Sequence, residues 1–85
     1  MEKQDTKAKK IKLIWDFRGP TARNTAQHYK KHLLEYAVLE GLDLQISGST
    51  DLSDAHSIAY LVVNESQMRQ VRDDLKPNRG EIYDG

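Results

Sequence analysis

Cysteine is absent from the chain, so a disulfide framework and a thiolate metal centre are both excluded. That absence fits a reducing compartment, and a cytoplasmic location is the expectation. Two prolines and five glycines are too few for a collagen-like or low-complexity chain. No apolar run approaches the ~18 residues that a membrane-spanning helix needs. The apolar run after the charged N-terminus is short and interrupted by Lys12 and Asp16, so no cleavable signal and no membrane partner are expected. Net charge is absent as well, with 13 basic and 13 acidic side chains.

That neutrality conceals a division. Residues 1–34 hold nine Lys/Arg against three Asp/Glu, and residues 35–85 hold four against ten. A basic arm for nucleic acid is one reading of such a split. However, Lys3, Lys7, Lys9 and Lys10 lie in a stretch without apolar periodicity, which reads as a solubilising, frayed end over residues 1–9. Nucleic-acid binding through this tail is therefore the minority reading. Residues 10–85 are 76 positions at most, enough for one small domain and no more.

The chain is organised around residues 11–26. Ile11, Leu13, Trp15 and Phe17 alternate with Lys12, Ile14, Asp16 and Arg18, which is the period of a strand. Ile14 makes the second face partly apolar, as in a central strand. Gly19-Pro20 ends it, Thr21 offers a capping hydroxyl, and a helix is expected to about Glu40. Ala22, Ala26, Tyr29, Leu33 and Ala37 fall in one stripe about 80° wide, the core face of that helix. Leu42, Leu44 and Ile46 then suggest a short strand, and the turn formers of residues 47–54 suggest a loop. His56 to Val63 is apolar at both parities and reads as a second central strand. Asn64 with Gln67 reads as a capping box for a helix that Pro77 stops. Residues 78–80 read as a turn, leaving Glu81 to Tyr83 for a short last strand. The order β-α-β-β-α-β predicts an α+β, ferredoxin-like sandwich, a four-stranded antiparallel sheet with two helices on one face. In that fold the first and third strands are the inner pair, as their composition requires.

The topology gathers Asp16, Arg18, Thr21, Arg23, His56 and Arg79 at one end, beside the N-terminus of the long helix. Partial positive charge and forked arginine donors there suit a small anionic ligand. His56 oriented by Asp16 is the candidate acid–base pair of a small enzyme. The competing structural reading is that Asp16, Arg18, Arg79 and Glu81 pair among themselves and tie two turns down. His28 and His32, one helical turn apart with Glu35 beside them, are a weak metal pattern because no further ligand is predictably near. Solvated histidines on a polar face are the favoured reading, and neither a metal nor a cofactor is expected. Ile14, Ile58, Tyr60 and Val62 would make the open sheet face apolar, and two copies stacking there would bury it. RNA-binding sandwiches use the same face, but their glycine- and aromatic-rich motif is missing.

Residues 15–20 (Trp-Asp-Phe-Arg-Gly-Pro) and 75–80 (Leu-Lys-Pro-Asn-Arg-Gly), with His28 and His32, resemble a group of short uncharacterised bacterial proteins. That resemblance implies no activity and no site residues. In strand order the chain is also similar to dimeric α+β barrel proteins, a resemblance that implies a homodimer joined through open sheet faces. The expectation is a non-catalytic interaction domain, a homodimer or the partner of another protein. The alternative is a small enzyme using His56 and Asp16.

Overall fold

The alternation of residues 11–18 forms β1 (Lys10–Arg18), and the amphipathic stretch after it forms α1 (Ala22–Leu39). Then come β2 (Ile46–Ser53), β3 (His56–Asn64), α2 (Glu65–Leu75) and β4 (Arg79–Ile82). The computed structural model describes residues 9–83. The frayed end expected at residues 1–9 lies outside them apart from Lys9, whose carbonyl accepts the Glu65 N–H at 2.9 Å. The four strands form one antiparallel sheet in the order β2-β3-β1-β4. This is the ferredoxin-like arrangement, with the two doubly apolar strands in the middle.

The pleat separates two sets of side chains. Leu13, Trp15, Ala59, Leu61 and Val63 join Ala26, Leu33 and Ala37 of α1 and Val71 of α2 in the core beneath the helices. Tyr29 packs against that core with its ring centroid 5.5 Å from Trp15 and 5.4 Å from Phe17. The Trp15 indole N–H donates to the Leu75 carbonyl at 2.8 Å, which fixes the end of α2 to the sheet.

Three local expectations are corrected. Leu42 does not open a strand. Gly41 adopts φ 64° after α1, and the Gly41 and Leu42 N–H groups return to the carbonyls of Val38 and Ala37. This is a Schellman ending whose apolar residue, Leu42, is only 3% exposed. The chain is committed to the helix stop there, so β2 starts at Ile46 and takes in most of the serine-rich stretch expected as a loop. As an edge strand it needs little apolar character, since the β3 ladder holds it. A bulge at Leu52 interrupts the register just before the turn.

The capping box is also absent. Asn64 occupies the N-cap of α2, but its side-chain amide donates to Asp43, and Gln67 accepts from the Asp43 N–H. Both groups are drawn to the loop packed beside them. Thr21 likewise sits at the N-cap of α1 without a side-chain capping bond. Finally, β4 begins at Arg79, so the turn moves back from residues 78–80 to Lys76-Pro77-Asn78. Lys76 carries that turn in the left-handed region at φ 49°, where a side chain costs about 1–2 kcal/mol. Lys76→Gly is therefore expected to raise stability by ~0.5–1 kcal/mol, and a thermal melt should show a rise of about 3–5 °C.

Candidate functional site

Alternation along the strands divides the expected cluster in two. Asp16 and Arg18 of β1, His56 of β3 and Arg79 of β4 belong to the parity that turns away from the helices. Arg23 of α1 lies on the helix side and pairs with Asp51, which shares the parity of Ser57. Chain direction places both groups at one end of the sheet, and the pleat sets them on its opposite faces.

On the open face Asp16 is the centre. One carboxylate oxygen accepts from His56 Nε2 at 2.8 Å and from Arg79 Nη2 at 3.2 Å, and the other accepts from Arg79 Nε at 3.3 Å. His56 reaches Asp16 diagonally across the ladder, since its own cross-strand neighbour is Arg18. The Asp16 and His56 side chains are 19% and 18% exposed, so the bond is shielded from water. The hydrogen bond from His56, then the adjacent Arg79 guanidinium, hold the Asp16 carboxyl below the usual carboxylate range, against the opposing pull of burial. The Asp16 N–H donates to the Asn78 side-chain carbonyl at 2.8 Å, which extends the β1–β4 contact past its last paired residue, Arg79. One carboxylate thus links β1, β3 and β4. Arg18 and Glu81 enter neither this group nor the other.

On the helix side Asp51 accepts from Arg23 Nε at 2.7 Å and from the buried Ser57 hydroxyl at 2.8 Å. This ties the start of α1 to β2. Thr21 is exposed and takes no part in it.

The apolar residues expected at an interface lie on the open face, yet they are already covered. Ile14, Ile58 and Val62 are 1%, 5% and 0% exposed. Tyr60 lies over Gly48 of β2, where a Cβ would come within 2.8 Å of ring atom Cε2. The Lys12 ammonium sits 4.3 Å from the centre of the same ring. Little apolar area on this face is left for a partner.

His28 and His32 pack edge to face at 5.0 Å, and His32 Nδ1 lies 3.6 Å from Glu35 with both side chains more than half exposed. Among the described residues, no three His, Asp or Glu side chains are grouped to hold a metal. No described helix is long and apolar enough to cross a membrane.

No family model, curated protein or solved structure matches the chain. The chemistry must therefore be judged on geometry. A general base needs an open approach for its substrate. A concavity of about 460 Å³ runs between α2 and β4 over Ile11, Leu13, Met68, Gly80 and Ile82, and it is bordered also by Asn78 and Arg79, two of the partners of Asp16. Sequence reasoning missed this groove. It exists because Gly80 and Ile82 present the helix-side face of β4 while α2 packs over β1 and β3. A short fourth strand was the only signal for it.

Proposed function

We propose that this chain is a small non-catalytic interaction domain that associates with itself. The observation carrying this reading is the state of Asp16. Arg79 engages both of its oxygens and His56 one of them, so the carboxylate is matched to a guanidinium of the neighbouring strand and the three side chains tie β1, β3 and β4 together. The exposed surface supports the second half of the reading. Leu34, Val38 and Leu39 of α1 are 40%, 54% and 83% exposed and line one shallow apolar patch, the kind of surface that marks an interface. Light scattering after size exclusion at high micromolar concentration tests the proposal. A mass of twice 9.8 kDa is expected, and a strict monomer would remove self-association.

A small anionic ligand at the Asp16 end is the second reading. Its support is Arg18, exposed and directly across the ladder from His56. Titration with inorganic phosphate should then move the NMR signals of Arg18 and His56 before any others, and uniform or absent shifts would count against it.

A further inference from the structure

We infer that self-association, the reading on which this proposal rests, occurs edge to edge: β2 of one copy pairs antiparallel with β2 of a second copy, and the two α1 helices pack across the same dyad. Among the described residues the sheet has two unpaired edges, and they differ. The β4 edge is four residues long and carries Arg79 and Glu81, the shortness and charge with which proteins protect such edges. The β2 edge runs without interruption from Ile46 to Asp51 before its bulge. Its first five residues, Ile-Ser-Gly-Ser-Thr, include no charge and no proline. Asp51 is neutralised within the same chain by Arg23. An unguarded edge of this kind is a template for another strand, and a two-fold axis makes it complementary to itself.

The helix layer fits the same arrangement. α1 lies over β2 and β3. With strands ~4.8 Å apart, pairing two β2 edges puts each α1 about 5 Å from the dyad, so the helices meet at about 10 Å, the spacing of packed helices. The flank of α1 that points outward over β2 is marked by Arg23, which reaches Asp51, and the opposite flank by Tyr36, which donates to Asp74 of α2 at 2.6 Å. At 100° per residue, Leu34 lies about 20° and Val38 about 60° from Arg23. These two side chains, 40% and 54% exposed, therefore stand on the flank that the pairing would bring together. On the other face of the sheet, Ile46 occupies the same margin at 38% exposure.

The extent is that of a modest dimer. A six-residue edge is about 20 Å long. With the helix layer added it removes about 500 Å² per copy from water, or about 1,000 Å² in total, the lower bound for a specific interface. Micromolar affinity is the corresponding expectation.

The experiment compares the full chain with Leu34→Glu/Val38→Glu by sedimentation across concentration, and follows amide exchange in the unmodified chain. Both substituted positions are exposed, so the double variant should melt like the parent at low concentration. The inference expects it to lose at least about 100-fold in association, and expects amides of residues 46–51 to exchange more slowly as the parent is concentrated. A parent that stays monomeric would overturn self-association itself. A parent that dimerises with unchanged exchange at residues 46–51 would overturn only the assignment to this edge. A double variant that dimerises as tightly as the parent would do the same.

Discussion

Trp15→Ala should lower the folding stability by about 3–5 kcal/mol. Trp15 is 5% exposed, packs at a tilt against Tyr29 with ring centroids 5.5 Å apart and donates to the Leu75 carbonyl. Truncating a buried aromatic of this size costs about 3–5 kcal/mol, before the abandoned carbonyl of α2 is counted. A chain of 85 residues has roughly 4–13 kcal/mol of total stability, so this one side chain carries about a quarter of it or more. Urea denaturation followed by circular dichroism checks this, because the only indole is removed. Trp15→Phe keeps the ring contact with Tyr29 and loses the hydrogen bond, so it should cost about 1–3 kcal/mol. Equal losses in the two variants would show that the hydrogen bond, and not the packing, holds α2 in place.

The second large effect belongs to Asp16. Asp16→Asn removes the charge that His56 and Arg79 face, and should cost ~1.5–3 kcal/mol, the range for hydrogen bonds to a charged group. The pH dependence has a definite sign. The folded carboxyl titrates below its ordinary value of 3.8, so its stabilising contribution is complete above that pH and disappears as pH falls through the depressed folded value. The unmodified chain should therefore lose stability more steeply below about pH 4 than Asp16→Asn does. Parallel acid limbs in the two proteins would contradict the assigned role. An enzyme would behave differently, since removing an orienting carboxylate from an active site characteristically reduces rate with little loss of stability.

The residues that were legible in the sequence were those with one physical constraint acting on them. Ile14, Ile58 and Val62 are apolar at the second parity of their strands, which only a central position explains, and β1 and β3 are central. The stripe of Ala22, Ala26, Leu33 and Ala37 is buried because helical spacing leaves no other face for it. Misreadings arose where two constraints competed for one residue. Leu42 fits a strand by alternation, but the backbone at Gly41 uses it to close α1. Asn64 and Gln67 fit a capping box by spacing, but Asp43 lies within reach and takes both. The candidate site obeys two constraints in the same manner. Chain direction brought Asp16, Arg23 and His56 to one end, while the pleat put Arg23 behind the sheet from the other two. The groove over Gly80 and Ile82 was invisible because it depends on where α2 lies, a property of packing rather than of any local pattern.

On the proposed reading, Asp16, His56 and Arg79 form a tie across three strands and not a reactive centre. A double-mutant cycle on folding stability, using Asp16→Ala, His56→Ala and the pair, measures that tie directly. A coupling of about 1–2 kcal/mol at neutral pH, shrinking in acid, is the predicted result. Additivity within about 0.3 kcal/mol, with each single variant as stable as the parent, would contradict it.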